Sequence, residues 1–573
     1  MMSTSAGQSI TTDQREVDDA VARARDGAAQ WARVPIGRRI SLARSIHSGI
    51  ARVAEPMVRT AARAKGMVEG TPVIGEEWTS SPYVILRLLN QLIESMEMLD
   101  ASGTTPLGKR GRTVDGRLSA RVFPADPLDW ALYGPLGLSG EVHFDSGVDE
   151  AALDATRGRF HRAPWHEGRT CAVLGAGNVN SIPAADVLTK MFNEGKTCVL
   201  KMNPVNAYLG PFFEEAFAEA IAAGWLQIVY GGAEVGSLLV HHPGIDEVHI
   251  TGSDRTHDLI VWGPPGPERD ARIASNEPLL QKEITSELGN ITPILVAPGP
   301  WSAREVELQA LNVAGMLTQN ASFNCIAGKI LVLPRGWKHR DRFMARLADV
   351  LRDTPARVGW YPGAEERWNT FLSGRPVVQR LGGGPGVLPW AIVPELDASD
   401  PDERAFRDEP FCAVLGETSV GSEDPYEFLD AAVRFANEIL WGTLSAVLIV
   451  HPRTHRDSST GPAVERAIDA LHYGTVCVNV WPGVAFAAGT LPWGGHPGST
   501  LAEIHSGRGW MHNTRMLEGV EKAVLRAPIR TLVKLPYLPH HRTLDVMGRR
   551  LTRLAAANSW TRLPGVLTSG VLG

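Results

Sequence analysis

The stretch TCAVLGAGNVNSIPAADVLTKMFNEGKTCVLKMNP, residues 170–204, carries the pattern that decides the fold. An apolar run ends at Gly175, a segment with apolar residues at helical spacing ends at Gly195, and a second apolar run ends at Lys201. Two buried strands joined by an amphipathic helix are typical of a parallel βαβ unit. We therefore predict an α/β fold in which ligands bind beyond the carboxyl ends of the strands.

The same alternation of strand and helix continues along the chain. Further strands are predicted at residues 226–232, 246–253, 291–299, 329–336, 410–420, 443–452 and 474–481. The order predicts two doubly wound α/β units in series, joined near residues 283–288. Residues 375–400 are rich in Gly and Pro, and we interpret them as an insertion.

The amino-terminal third has a different character. Residues 1–12 are rich in Ser, Thr and Gly, and we predict that they are disordered. Apolar residues recur every three or four positions over residues 13–99, which predicts helices. Residues 101–118 are Gly- and Thr-rich and are expected to form a loop, whereas the pattern at residues 120–150 favours extended chain.

Composition argues against several classes of protein. The 573 residues carry 57 Lys and Arg against 63 Asp and Glu, and a net charge of −6 argues against a nucleic-acid partner, which requires a basic face. The five cysteines are widely spaced, so neither a metal site nor a disulfide framework is expected. No secretory signal and no apolar run of 18 residues occurs, so we expect a cytoplasmic protein without an integral membrane segment.

Polar residues that could bind ligands or carry chemistry follow several predicted strands. Asn178 lies in the turn GAGN, Lys201 ends a strand, and residues 251–253 (TGS) follow another. Glu287 lies in ELGN, after the helix-like stretch LLQKEITS at residues 279–286. A glutamate acts as a general base where burial raises its pKa toward neutrality. Taken singly, each of these features also fits a structural turn, a solvated lysine or a surface carboxylate.

Cys325 is the strongest candidate nucleophile. It lies in NASFNCIAG, residues 320–328, between a predicted helix and a predicted strand, where a thiol can face a pocket. The other cysteines lie within apolar runs that are typical of buried, inert thiols: Cys171, Cys198, Cys412 and Cys477.

Taken in order, these motifs resemble the NAD(P)-dependent aldehyde dehydrogenase superfamily over roughly residues 170–500. ELGN is similar to the family's Glu-Leu-Gly-Gly, NASFNC to Asn-x-Gly-Gln-x-Cys, EPF (409–411) to Glu-x-Phe, and LPWGG (491–495) to Pro-Phe-Gly-Gly. The resemblance implies that Cys325 is the nucleophile, Glu287 the general base and Asn178 the oxyanion ligand. It also implies that NAD or NADP is bound by Lys201, Gly232, Gly236, Thr251, Gly252, Ser253, Leu288, Glu409 and Phe411.

The sequence departs from the family's motifs at three places. Gly177 and Val179 replace the aromatic residues that flank the asparagine, and Ser322-Phe323 replace the Gly-Gln before the cysteine. After Lys201 the chain runs Met-Asn-Pro and lacks the carboxylate that often reads the ribose 2′-hydroxyl, so both NAD and NADP remain open.

The resemblance also implies a division into two doubly wound domains and an oligomerisation hairpin. We expect a cofactor-binding domain at 13–119 and 151–286, the hairpin at 120–150, and a catalytic domain at 287–485. Residues 486–573 would form the substrate mouth, a second oligomerisation segment and a carboxy-terminal extension. The basic tail after about Arg526 favours subunit packing, with contact to a membrane surface or an acyl carrier as the alternative. A homodimer or homotetramer is expected.

The implied activity is oxidation of a small-molecule aldehyde to a carboxylic acid through a cysteine thiohemiacetal and thioester. A CoA-acylating aldehyde dehydrogenase or acyl-thioester reductase is the first alternative, because the GAGN turn resembles that of the acyl reductases. A catalytically silent cofactor-binding or assembly protein is the second. Trp481 and Trp493, near the expected substrate mouth, suggest a bulky apolar substituent on the aldehyde.

Overall fold

The computed structural model describes residues 11–163 and 166–573. Most of the predicted disordered segment 1–12 lies outside the described residues. Thr12, at its end, is anchored to Tyr230 by two hydrogen bonds: its amide donates to the Tyr230 carbonyl at 3.0 Å, and its Oγ1 accepts from the Tyr230 amide at 2.8 Å. Disorder therefore does not extend to residue 12.

The strands of the described chain form two sheets. In chain order they are β1 (Arg110–Arg112), β2 (Leu118–Phe123), β3 (Ser139–Phe144), β4 (Thr170–Leu174), β5 (Thr197–Lys201), β6 (Leu226–Val229), β7 (Glu247–Thr251), β8 (Glu283–Glu287), β9 (Thr292–Val296), β10 (Gly328–Pro334), β11 (Gln379–Leu381), β12 (Trp390–Leu396), β13 (Val414–Val420), β14 (Ser445–Ile449), β15 (Thr475–Val478), β16 (Gly507–Arg508) and β17 (Val520–Arg526).

The smaller sheet has the order β16-β8-β7-β4-β5-β6. Strands β8, β7, β4, β5 and β6 are parallel, and β16 pairs with β8 in the antiparallel sense. Because the chain leaves β4 toward β5 and later returns to its other side as β7, the topology switches between β4 and β7. Ligands bind at such a switch point, outside the carboxyl ends of the strands.

The larger sheet has the order β1-β2-β3-β17-β15-β14-β9-β10-β13-β12-β11. Its parallel centre runs from β17 to β12, with antiparallel strands at both edges. The central strands are apolar and buried on both faces, as expected where helices cover a parallel sheet. The predicted α/β class with two parallel-sheet units is confirmed.

Helices cover both sheets. In chain order they are α1 (Gln14–Arg33), α2 (Ile36–Ala64), α3 (Gly75–Ser80), α4 (Pro82–Ser102), α5 (Pro127–Tyr133), α6 (Glu150–Thr156), α7 (Arg159–Arg162), α8 (Ile182–Leu188), α9 (Gly210–Ala216), α10 (Ala218–Ala222), α11 (Ala233–His241), α12 (Asp254–Trp262), α13 (Pro267–Ser275), α14 (Ala303–Thr318), α15 (Arg340–Asp353), α16 (Ala364–Leu372), α17 (Arg404–Arg407), α18 (Pro425–Arg434), α19 (Pro452–Arg456), α20 (Gly461–Ala470), α21 (Pro482–Ala488), α22 (Leu544–Ala557) and α23 (Leu563–Val571). In the described residues, no helix combines the length and apolar character needed to cross a membrane.

Two segments differ from the sequence-based expectation. The region 120–150 contains β3 and most of β2, which pair with each other, but α5 interrupts the extended chain between them. Asp126 caps α5 and Pro127 occupies its first turn, which together start a helix. The supposed insertion 375–400 contains β12, a strand of the larger sheet, and its Pro394 lies where the register with β13 shifts, a position that tolerates proline.

The carboxy-terminal tail folds back on the amino-terminal helices. The indole of Trp78 in α3 donates to Asp545 at 3.1 Å, and Asn90 in α4 donates to the Ala555 carbonyl at 2.8 Å. An added Cβ at Gly75 would lie 2.3 Å from the Leu544 backbone, so α22 packs directly on α3. In the single chain, one face of this tail is therefore buried against its own fold.

Candidate active site

The structure brings Cys325 and Glu287 together. Glu287 ends β8 at the carboxyl edge of the smaller sheet, and Cys325 lies on the loop between α14 and β10. The Cys325 Sγ lies 3.4 Å from the Glu287 Oε1, so the thiol donates to the carboxylate. Thirty-eight residues of sequence separate them, and each belongs to a different sheet unit.

Glu287 has the electrostatic environment of a general base. Its side chain is buried, and burial raises its pKa to about 7, with a further contribution from the negative charge of Asp186. The second carboxylate oxygen, Oε2, is buried without a hydrogen-bond partner among the described residues. An unpartnered acceptor of this kind can orient a water molecule.

A buried polar cluster that is not evident from the sequence lies near Glu287. Asp186 of α8 accepts from the Thr251 hydroxyl at 2.9 Å, and its Oδ2 lies 3.6 Å from Nε2 of His249. Burial lowers the pKa of nearby His512 to about 4, so this histidine is neutral at pH 7. The detectable signal was Asp186 itself, a carboxylate within the otherwise apolar helix IPAADVL.

The Cys325 thiol is protonated in the resting site. Burial raises its pKa well above the ordinary value, and the charges of Glu287 and Glu409 raise it further, while its own backbone N–H acts in the opposite direction. The thiolate therefore needs a base, and Glu287 is hydrogen-bonded to the thiol.

Asn178 lies against residues 319–327, the loop between α14 and β10 that carries Cys325 and that we call the cysteine loop. Its side-chain amide donates to the Phe323 carbonyl at 3.1 Å, two residues before Cys325. Its own carbonyl accepts from the Asn320 side chain at 3.0 Å. The turn after β4 and the cysteine loop are thus joined, with Asn178 buried between them.

The cysteine loop has a strained backbone. Asn320, Ala321 and Ser322 adopt successive positive φ values of 54°, 54° and 70°, a conformation that costs non-glycine residues about 1–2 kcal/mol each. Lys329 donates to the Ser322 hydroxyl at 2.7 Å and to the Cys412 carbonyl at 2.8 Å, which ties the loop to β10 and to the segment before β13.

A second buried network holds the other side of the loop. Lys65 donates to Glu77 at 2.7 Å, to the Asn320 side chain at 3.1 Å and to the Asn178 carbonyl at 3.3 Å. Glu77 also accepts from Asn180 at 2.7 Å. Lys65 directly follows α2 and Glu77 lies in α3, and local sequence patterns give no sign of their contacts with Asn320 and Asn180.

Phe323, which departs from the family motif, has a packing role. Its ring lies 5.1 Å from that of Trp360, 5.8 Å from Tyr361 and 6.1 Å from Phe411. The altered pair Ser322-Phe323 is thus supported by a lysine and by an aromatic cluster. Phe411, expected to bind cofactor, belongs to this cluster.

The residues expected to bind the dinucleotide lie along the carboxyl edge of the smaller sheet. Lys201 ends β5, and its ammonium donates to the Gly231 carbonyl at 3.1 Å. Gly236 in the first turn of α11 lies on the Lys201 side chain, since an added Cβ would be 3.5 Å from its Cε. A Cβ on Gly232 would meet nothing within 4 Å, so this turn leaves open space.

The other expected cofactor residues surround the ends of β7 and β8. Ser253 caps α12, Gly252 donates its amide to the Glu287 carbonyl at 3.0 Å, and the buried Leu288 donates its amide to Ser506 at 3.0 Å. The Thr251 hydroxyl, by contrast, donates its hydrogen to Asp186 and does not have it free for a ligand. Burial raises the pKa of Glu409 to about 8, and its buried Oε1 lacks a hydrogen-bond partner among the described residues.

An apolar cavity opens beside Cys325. Its walls come from the cysteine loop, α21, α3, α4, the region between β2 and β3, and the carboxy-terminal residues 533–567. Trp481 and Trp493 both line it. Over the part of the chain that the structure describes, no Asp, Glu, Lys, Arg or His lines this cavity, and no group of three or more His, Cys, Asp or Glu could hold a metal.

Comparisons with known proteins agree with this architecture. The model of the aldehyde dehydrogenase family matches residues 171–362. N-succinylglutamate 5-semialdehyde dehydrogenase of Ectopseudomonas mendocina is 23% identical over 335 residues, which cover 58% of this chain and 54% of that relative. This chain thus spans about half the length of that curated relative.

Solved structures share the fold at low sequence identity. NADP-dependent glyceraldehyde-3-phosphate dehydrogenase of Bacillus halodurans has a TM-score of 0.58 and 18% identity, covering 90% of this chain and 92% of that one. An NAD-dependent aldehyde dehydrogenase of Sinorhizobium meliloti has a TM-score of 0.59 and 19% identity, covering 91% and 88%. The expected fold is confirmed, and residues 171–362 match the model of the aldehyde dehydrogenase family.

Proposed function

We propose that this chain oxidises an aldehyde to a carboxylic acid, with NAD or NADP as cofactor and with the acyl group carried on Cys325. The observation that carries the proposal is the 3.4 Å contact between the Cys325 thiol and the buried Glu287 carboxylate. A nucleophile hydrogen-bonded to a base whose pKa lies near 7 is poised for covalent catalysis at neutral pH.

In the first step, Glu287 accepts the thiol proton as the Cys325 sulfur attacks the carbonyl carbon. A C–S bond forms, and the carbonyl π electrons move onto the oxygen. The donors that we assign to this oxyanion are the backbone N–H of Cys325 and the second N–H of the Asn178 side-chain amide, whose other hydrogen is donated to Phe323. Such a donor typically lowers the barrier by about 3–4 kcal/mol. The anchored loop keeps both donors in place.

The residues at the carboxyl edge of the smaller sheet fit a dinucleotide. The open turn at Gly232, the ammonium of Lys201 and the amino end of α12 at Ser253 offer space, positive charge and backbone N–H groups. Glu409, with its unpartnered Oε1, would accept from a ribose hydroxyl. A bound nicotinamide supplies the hydride acceptor that oxidation of the thiohemiacetal requires.

The second half of the reaction releases the acid. After oxidation the acyl group is a thioester on Cys325, and Glu287 first releases to solvent water the proton that it accepted from the thiol. Its carboxylate then takes a proton from water, the oxygen attacks the acyl carbon, and the C–S bond breaks to return the thiolate. The unpartnered Oε2 of Glu287 is the atom that we assign to this water.

The test is NAD(P)H absorbance with a panel of alkyl and aromatic aldehydes, each with NAD or NADP and with or without CoA. We expect turnover without CoA, and none from Cys325→Ala, which should still bind the cofactor. Turnover that requires CoA would assign the acyl group to CoA and leave Glu287 without its role. Full activity of Cys325→Ala would remove the thiol from the mechanism.

A further inference from the structure

We propose that the cavity beside Cys325 binds the hydrocarbon chain of a medium- or long-chain aldehyde, and that the carboxy-terminal segment forms its far wall. The inference deepens the proposed function and rests on it, since the reacting carbonyl must lie at Cys325. Three features of the described residues support it: the lining, its polarity gradient and the way α22 is fixed.

Most polar atoms in the cavity wall away from the cysteine loop are already bonded to protein. The hydroxyls of Thr79 and Ser80 donate to the carbonyls of Gly75 and Glu76, at 2.9 and 2.6 Å. The indole of Trp481 donates to Ile326 at 2.9 Å. Little hydrogen-bonding capacity therefore remains there for a polar substituent, whereas a hydrocarbon chain needs none.

The amide side chains of the lining lie on the cysteine loop beside Cys325: Gln319, Asn320 and Asn324. Among the lining atoms, Oε1 of Gln319 and Nε1 of Trp493 are buried without a hydrogen-bond partner in the described residues. Away from this loop most of the lining is aliphatic or aromatic. A ligand with one polar reacting end and an apolar tail matches this change from polar to apolar lining. We therefore expect aldehydes with a charged or hydroxylated tail to bind poorly.

The far wall belongs to the carboxy-terminal segment. Its cavity-lining aliphatic residues are Val533, Leu535, Met547, Leu551, Val566 and Leu567. Met547 and Leu551 are one helical turn apart on α22 and are 6% and 4% exposed.

Helix α22 is firmly docked. Its position is fixed by the Trp78–Asp545 and Asn90–Ala555 hydrogen bonds and by the close contact at Gly75. The wall therefore sets a limit to the length of the chain, because displacing it would break these contacts.

The test measures binding without turnover. Neutral alkyl amides from butanamide to decanamide, which cannot be oxidised, are tested for protection of Cys325 in the full chain against iodoacetamide, with labelling read by peptide mass spectrometry. We expect the dissociation constant to fall about fourfold for each added methylene until the chain meets α22. Protection independent of chain length would overturn the inference.

Variants of α22 identify the wall. Leu551→Trp should weaken protection by decanamide far more than by butanamide, and Leu551→Ala should lengthen the longest chain that gains affinity. Val546→Trp is the matched control, because Val546 lies on the same helix but is 45% exposed, and it should behave as wild type. Equal effects of Val546→Trp and Leu551→Trp, or an unchanged length limit in Leu551→Ala, would contradict the assignment of the wall.

The two proposals fail separately. Chain-length-dependent protection without oxidation of any aldehyde would retain the cavity assignment and reject the proposed activity. Oxidation of aldehydes, together with protection of Cys325 that does not depend on chain length, would support the proposed activity and reject the cavity assignment.

Discussion

The proton shared between the thiol of Cys325 and the carboxylate of Glu287 governs the expected pH dependence. Burial and the charge of Asp186 raise the pKa of Glu287 to about 7, so the basic form is lost as the pH falls below that value. We expect kcat to rise with pH through about 7 and to level off above it. Steady-state rates between pH 5 and 9 measure this, and a profile that is flat through pH 7 would reject Glu287 as the base.

The negative charge of Asp186 contributes to the raised pKa of Glu287. Removing its charge in Asp186→Asn leaves a group that can still accept from Thr251, but it withdraws one of the two causes that raise the pKa of Glu287. The acidic limb of the kcat profile should therefore move to lower pH by about one pH unit.

Asp246→Asn is the control for Asp186→Asn. Asp246 carries the same charge at the opposite end of β7, where it accepts from the Thr170 amide. We expect the acidic limb of the kcat profile of Asp246→Asn to coincide with that of wild type. If the acidic limb does not move in Asp186→Asn, or moves equally in both variants, the charge of Asp186 does not act on Glu287.

At the scale of elements, the ion pair of Lys65 and Glu77 joins the amino-terminal helices to the cysteine loop. Both side chains are 1% exposed, so Lys65→Met leaves a buried carboxylate unpaired and should cost about 3–5 kcal/mol. We expect a lower thermal midpoint and reduced activity, since Lys65 also holds Asn320 and Asn178.

Arg63→Met is the control: it also replaces a positively charged side chain by Met, but at an exposed position of α2. It should shift the thermal midpoint little, because exposed charges contribute little to stability. Equal midpoints for Arg63→Met and Lys65→Met would mean that the buried pair does not stabilise the fold.

The contact between α3 and α22 depends on glycine. A Cβ at Gly548 would lie 2.6 Å from the Cβ of Trp78, so Gly548→Val should separate the helices at a cost of about 1–3 kcal/mol. In Gly565→Ala the new Cβ meets its nearest neighbours at 3.6 Å or more, and the change should be neutral or slightly stabilising. Thermal denaturation compares the two, and equal midpoints would contradict the packing.

Much of the element order could be predicted from the sequence, because buried parallel strands such as β4 and β5 are short apolar runs bounded by turns. The strand β12 was missed, because Pro and Gly surround its apolar core. Cys325 could be singled out by its place between a helix and a strand, and both Cys325 and Glu287 by family motifs. The stretch before Glu287 was interpreted as helix-like, but residues 283–287 form β8. Asp186, Lys65 and Glu77 could not be singled out, since their roles come from contacts that only the folded chain creates.

For the whole molecule, the sequence predicts a homodimer or homotetramer with strands paired between subunits. In the structure, β3 and β17 pair within one chain, and β17 continues into the larger sheet through β15. The larger sheet is thus continuous without a second chain. Association stays a prediction: light scattering after size exclusion should give two or four times 62.0 kDa, and a mass of one chain would contradict it.

The central claim is that Cys325 carries the acyl group and that Glu287 releases it. Rapid mixing of Glu287→Gln with aldehyde and NAD or NADP tests this most directly, with NAD(P)H followed by absorbance and the protein by intact mass. Glu287→Gln removes the base for the thiol as well as the base for water. We therefore predict that about one NAD(P)H per site forms more slowly than in wild type, that turnover afterwards is slower still, and that an acyl adduct remains on Cys325. Steady turnover at the wild-type rate without an adduct, or a burst that persists in Cys325→Ala, would contradict the account.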